Sequence, residues 1–357
     1  MESQPNADIK AIFAHRLSQA RQIRSLSLRE LAEKLDPPVS YNALHKYEMG
    51  TMLPGSDVLI GLSQALGQPL DFFFRPITVT LEAIEFRKKS KLGAKKIREI
   101  REEATDFFER YLQVEQSLGI KTEFTNPIGD FPIQEPEDVE KAAETLRKSW
   151  TQGMAPLVNV IELLERHQIK VLVQQADAEF DGFSGWSGTI PVIVLNGAFS
   201  PDRVRLTALH ELGHLLLRFN SRFDEKAKEK MCHRFAGAVL MPRVVFEEEF
   251  GSHRDQVTLQ ELKDIKGDFG ISIAAIMARA YDLGNISEAR YTRFCIIRNR
   301  EGWTKNEPGE YKGESFPNRF EQLLYRAAAT EVLSLSLSAG LAKKSLSEFR
   351  ESLQLVS

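Results

Sequence analysis

Only two cysteines, Cys232 and Cys295, occur in this chain of 357 residues, so no disulfide framework can brace it and a reducing compartment is expected. It also lacks any apolar run approaching a membrane span, and no N-terminal stretch has the layout of a signal peptide. The expectation is a cytoplasmic protein with no membrane partner. Charge imbalance is missing as well: 47 lysines and arginines face 50 aspartates and glutamates, a formal net charge of −3. That argues against a protein that coats nucleic acid indiscriminately, while local binding depends on where the charges sit. There is no internal repeat and no low-complexity tract. What is there, 42% hydrophobic and 27% charged residues, is the composition of a globular protein long enough for roughly two or three domains.

The most specific string present is His210-Glu211-Leu212-Gly213-His214. It lies in a run that reads as a helix: Ser200 stands where a cap belongs, Pro201 fits the first turn, and Leu206, Leu209, Leu212, Leu215, Leu216 and Leu217 supply apolar positions. Side chains four apart on a helix lie one above the other, so both imidazoles face one point and a divalent metal can join them. Zinc is the expected ion, with manganese as the alternative, and Glu211 is then placed as general base toward the attacking water. A chance match on a charged surface helix is disfavoured, because 206–217 carries no charge outside the motif.

A catalytic zinc needs a third protein ligand. Residues 224–241 read as a second amphipathic helix, and Glu229, fifteen residues after His214, allows a turn and an antiparallel return to the metal. Glu229 is the first choice. Glu225, one turn earlier, and Cys232 and His233, three and four residues later, are its competitors. Cys232 also reads as a small buried apolar residue. His233 reads either as a ligand or as a group that steadies the carboxylate, and His233 and Tyr281 are the two candidates for an oxyanion donor.

The N-terminal part reads as a bundle of short helices. Ser27 and Glu30 have the spacing of a capping box, Asp36-Pro37-Pro38 forces a turn, and Ser40 can cap a helix that stops at Gly50. Two short helices joined in this way can form a helix-turn-helix whose second helix enters the DNA major groove. Ser40, Tyr41, Asn42, His45 and Lys46 would then face the bases, with Val39, Leu44 and Tyr47 inward. Asn42 suits adenine, and Lys46 suits phosphate or guanine. The competing reading is a protein-docking bundle. The sequence Leu26-Ser27-Leu28-Arg29-Glu30-Leu31-Ala32-Glu33-Lys34-Leu35, with Leu44-His45-Lys46-Tyr47-Glu48-Met49-Gly50 and Pro54, resembles the XRE/Cro-type repressor domain over about residues 10–74. The resemblance implies operator binding as a dimer. Leu28 departs from it, since the family often has Gln there.

The residues from Phe86 to Arg101 carry eight basic residues, among them Lys88, Lys89 and Lys95, against the single acid Glu99. They read as an extension of the DNA footprint through phosphate contacts, or as a solvated helix face. Residues 125–137 read as a loop, 138–150 and 156–167 as helices, and 169–173 and 190–195 as strands on either side of the turn-rich Asp181-Gly182-Phe183-Ser184-Gly185. Pro191 cannot donate to a ladder, which places the second strand at a sheet edge, where an extended peptide can add a strand. Residues 259–266 and 273–283 form a second helix-turn-helix-like pair that reads as a packing subdomain, because it is not notably basic.

Four motifs in order, Asp181-Gly182-Phe183-Ser184-Gly185-Trp186, Ile193-Val194-Leu195-Asn196, the run from Arg203 through His214, and the run from Glu229 through Pro242, resemble the ImmA/IrrE family of metallopeptidases. The resemblance covers 150–245 closely. It implies His210, His214 and Glu229 as zinc ligands, Glu211 as catalytic base, and an XRE-type repressor or antitoxin as substrate. The expected fold is α+β, mostly α: a helix-turn-helix domain at 9–74, a charged connector at 75–137, a zincin-like peptidase domain with a small sheet at 138–245, a helical subdomain at 246–300 and a helical C-terminal region at 301–357. The expected function is a DNA-binding regulator that cleaves a repressor or itself, a cut in 75–137 separating the DNA-binding module from the rest. The alternative is a non-proteolytic repressor or antitoxin that uses the same fold as a sensor of a ligand or partner.

Overall fold

The computed structural model describes residues 5–81, 92–313 and 316–353, and it is mostly helical with a small sheet. In chain order its first half holds α1 (Pro5–Ile23), α2 (Leu28–Lys34), α3 (Tyr41–Glu48), α4 (Ser56–Leu66), α5 (Ala94–Ser117), β1 (Pro132–Ile133), α6 (Pro136–Ser149), α7 (Val160–Arg166) and β2 (Lys170–Gln174). The second half continues with β3 (Gly182–Ser187), β4 (Ile190–Asn196), α8 (Pro201–Leu216), β5 (Arg218–Phe219), α9 (Glu225–Leu240), α10 (Arg243–Phe250), α11 (Leu259–Phe269), α12 (Ile273–Asp282) and α13 (Glu288–Arg300). It ends in α14 (Arg319–Ala329), α15 (Leu335–Ala342) and α16 (Leu346–Ser352). Among the described residues, 5–81, 92–121 and 320–353 form one compact unit and 122–319 a second. The segment expected as a connector is thus shared: α5 belongs to the first unit, and the chain from Thr122 onward to the second. No helix among the described residues is long and apolar enough to cross a membrane.

The first unit is built around the N-terminal bundle. Ser27 and Glu30 close the capping box, with Ser27 Oγ accepting from the Glu30 amide at 3.2 Å and Glu30 Oε2 accepting from the Ser27 amide at 2.6 Å. Ser40 Oγ caps α3 by accepting from the Ala43 amide at 3.2 Å. Phe13, Leu17, Leu31, Leu44, Leu62, Phe72 and Phe73 make the core, and Arg21 clamps Glu48 of α3 by two bonds of 2.7 and 2.8 Å. A second apolar cluster joins α5 to α14, α15 and α16.

In the second unit, β2 and β4 pair in parallel, β3 and β4 antiparallel, and the strand order is β2-β4-β3. This corrects the edge placement of the 190–195 strand: β4 is central. Pro191 pairs with Trp186 of β3, and the ladder to β2 starts only at Val192, so the missing N–H falls where β2 has not begun. The free edge next to the cleft described below is instead β3, made from residues expected as a turn. Gly182 permits it, because a Cβ there would lie 2.8 Å from the Val194 carbonyl oxygen. The expected loop at 125–137 carries β1, paired in parallel with β5. The helix expected from Pro156 begins only at Val160, capped by Asn159. The carbonyls of Leu157 and Val158 are held out of a helix by Arg205, whose Nη2 and Nη1 donate to them at 2.6 and 2.7 Å. None of the ten residues of α12 is exposed, so the second helix of the helix-turn-helix-like pair packs into the unit, in keeping with a packing subdomain.

Candidate functional site

The site rests on two helices that run close together. Pro201 occupies the first turn of α8, where its missing N–H would have had no partner. Ser200 stands at the N-cap position but makes no capping bond with its side chain, against expectation. In α9, Asp224 Oδ1 accepts from the Ala227 amide at 2.7 Å and starts the helix. The two helices approach at Gly213, where a Cβ would meet the Cα and Cβ of Cys232 and the ring of Phe235, each at 3.3 Å. Cys232 is fully buried at this crossing, as expected of a small apolar residue.

This approach brings the expected ligands together. His210 Nε2 and His214 Nε2 are 3.0 Å apart, Glu229 Oε1 is 3.3 Å from His214 Nε2, and Glu229 Oε2 is 3.7 Å from His210 Nε2. Two donors about 2.05 Å from a tetrahedral zinc are roughly 3.3 Å apart, so the three separations bracket the spacing that zinc requires. The donor set of two imidazoles and one carboxylate also suits that ion. His210, Glu229 and His233 form an overlapping group whose donor atoms lie within 4.8 Å of one another, and the rings of His210 and His233 are 4.0 Å apart. The group with His214 is the one whose separations match the zinc spacing, at 3.0 to 3.7 Å. Glu225 is not drawn in: its side chain is 74% exposed and pairs with Lys228 at 2.7 Å.

Glu211 is buried, and its Oε2 accepts a hydrogen bond from Ser184 Oγ of β3 at 2.9 Å. Ser184, Gly185 and Trp186 of β3, with Glu211, His214, Leu215, Phe219, Glu225, Lys228 and Glu229, line a cleft of about 220 Å³. The lining includes neither His233 nor Tyr281, and Tyr281 stacks on Tyr291 at 4.9 Å instead. Sequence reasoning missed the Ser184 contact and the aromatic wall of Trp186 and Phe219. Ser184 and Trp186 stand in the run from Asp181 to Trp186, whose glycines read as a turn and so conceal a strand.

In the first unit, Ser40, Tyr41, Asn42, His45 and Lys46 are all exposed, while Leu44 and Tyr47 are buried and Val39 is half-buried. Tyr41 stacks on His45 with ring centroids 6.2 Å apart, and the Arg29 guanidinium lies 6.0 Å over the Tyr41 ring. Leu28 packs partly buried against the bundle core. Lys95 is exposed near the start of α2: the Glu30 carboxyl is held below its ordinary value by hydrogen bonds from Ser27 and then by the Lys95 charge. Lys96 is half-buried and pairs with Glu99 at 2.6 Å. Lys88 and Lys89 lie outside the described residues.

Residues 17–73 match the family model described as helix-turn-helix, and residues 164–281 match the one described as the IrrE N-terminal-like domain of peptidase family M78. The first match runs from α1 past α4, and the second from α7 to α12, enclosing His210, His214, Glu229 and His233. No curated protein matches the chain. The chain carries an XRE-type helix-turn-helix domain followed by a metallopeptidase-like domain of the IrrE N-terminal-like family.

Proposed function

We propose that this protein is a DNA-binding transcriptional regulator with a zinc metalloendopeptidase in the same chain. The observation that carries the peptidase reading is the convergence of His210, His214 and Glu229 at 3.0 to 3.7 Å beside the buried carboxylate of Glu211. His210, His214 and Glu229 hold the ion, with manganese as the alternative to zinc. Bound there, the metal supplies Lewis-acid polarisation of the scissile carbonyl and makes a water molecule easier to deprotonate. Glu211 takes that proton and returns it to the leaving amine. The Ser184 hydroxyl fixes Oε2 of Glu211 and so orients the base. The peptide adds as a strand along β3, placing its scissile bond over His214 and Glu229. His233, packed against the His210 ring, steadies that ligand.

The substrate is an XRE-type repressor or antitoxin, or the chain's own 75–137 segment. In the first unit, α3 reads the operator through Asn42 and Lys46 and the chain binds as a homodimer, while Lys95, with Lys88 and Lys89, contacts phosphates. Two variants test the enzyme. The double variant His210→Ala, His214→Ala loses the roughly one zinc per chain measured by elemental analysis. Glu211→Gln keeps the metal and DNA binding but yields no cleaved repressor by mass spectrometry, because an amide cannot accept the proton. Intact masses for every candidate repressor with the wild-type protein would instead favour the sensor reading.

A further inference from the structure

We propose that residues 320–353 are the closing part of the DNA-binding unit and that the peptidase-like unit is an insertion within it. A single cut where the chain passes from one unit to the other then nicks the protein without freeing its helix-turn-helix. This inference does not depend on the metal site.

The observation is that α5 is held from both ends of the sequence. On its N-terminal-module side, the buried Arg16 of α1 donates from Nη1 and Nη2 to Glu109 at 2.5 and 3.1 Å, and the Thr78 amide donates to the same carboxylate at 3.2 Å. On its other side, Tyr111 and Val114 are fully buried in one cluster with Phe320, Leu324 and Phe349. Phe320 meets Phe107 edge to face at 5.2 Å, and Arg110 Nη1 donates to the Leu341 carbonyl at 2.6 Å. One carboxylate joins the two sides. Asp106, with no exposed side-chain surface, takes Arg75, which directly follows the N-terminal bundle, at 3.0 Å and Lys343 from the C-terminal helices at 2.7 Å. The chain leaves this unit at residue 121 and re-enters it at 320, so each boundary is bridged by packing that does not run through 122–319. Self-cleavage just after α5 therefore leaves the helix-turn-helix attached, contrary to the expectation that a cut in the 75–137 segment separates it.

The test inserts the recognition sequence of an exogenous site-specific protease between Lys121 and Thr122 of the full chain. After complete cutting, denaturing electrophoresis gives two fragments. Native size-exclusion chromatography is expected to give one species, with affinity for a random-sequence duplex at low salt within about twofold of the uncut protein. Separate elution of the N-terminal fragment overturns the proposal. A second form adds Phe320→Ala and Leu324→Ala to the insertion: uncut, it keeps its helical circular dichroism, and after cutting its fragments separate. If they still travel together, residues 320–353 are not what holds the unit. If the insertion itself prevents folding, a chain ended after Arg319 replaces it. Loss of duplex binding and a lower melting temperature for the first unit are expected, and unchanged binding and melting overturn the proposal.

Discussion

Gly213 is the residue on which the candidate centre most depends without touching a ligand atom. A Cβ there would lie 3.3 Å from the Cα of Cys232, a backbone atom that cannot swing aside, so α9 would have to move as a whole. Ala is the better helix former by about 1 kcal/mol, but overpacking of a close helix crossing costs about 1–3 kcal/mol, and the second effect is expected to win. Because Glu229 rides on α9, a shift of a few tenths of an ångström also spoils the 3.3 Å approach to His214. Gly213→Ala should therefore lower the melting temperature and weaken zinc affinity by at least tenfold, as read by competition with a chromophoric chelator. Unchanged zinc affinity would mean that the crossing does not set the ligand geometry.

Among the elements, α3 and the start of α5 would make separable contributions under the proposed DNA binding. Asn42 and Lys46 stand on the exposed face of α3, where base edges would meet them, whereas Lys95 lies near the N-terminus of α2 and offers only charge. Replacing Asn42 and Lys46 with Ala should reduce discrimination between operator and random duplex, at about 1–3 kcal/mol per lost base contact. Replacing Lys95 should weaken both duplexes alike and lower the slope of log affinity against log salt by roughly one. A uniform loss from the α3 pair would point to a docking bundle. The helices were legible because their periodicity and caps are local: the Ser27 and Glu30 box, the Ser40 cap and the inward Leu44 and Tyr47 all follow from spacing along one helix. So was the pairing of His210 with His214. The strand order was not, because Pro191 advertises an edge and only the register with β2 shows that its missing N–H faces no partner strand. Nor could spacing find the Ser184 bond to Glu211, which joins residues that are close only once β3 lies beside α8. The same holds for residues 320–353, whose partner α5 lies some two hundred residues earlier and shares no motif with them.

For the molecule as a whole, two units with separate cores imply two unfolding events, each with its own lever. Zinc bound by His210, His214 and Glu229 would stabilise only the unit that contains them, so a strong chelator should lower one calorimetric transition and leave the other in place. Asp106 governs the other. Burial pushes its carboxyl up, but the charges of Arg110, Lys343 and Arg75 outweigh burial and hold it at about 2, below the ordinary 3.8. A depressed folded-state value stabilises the fold above the unfolded carboxylate range and is lost as the pH falls through the folded value. The difference of nearly two pH units corresponds to on the order of 2 kcal/mol above about pH 5. Asp106→Asn, which leaves three cations around a neutral amide, should therefore lower only the first-unit transition at pH 7. The gap between variant and wild type should narrow as the pH falls through about 2, where half of the aspartate has become neutral. A single transition that responds both to the chelator and to Asp106→Asn would show that the two cores unfold as one, and the insertion would then be a feature of the chain path without energetic independence.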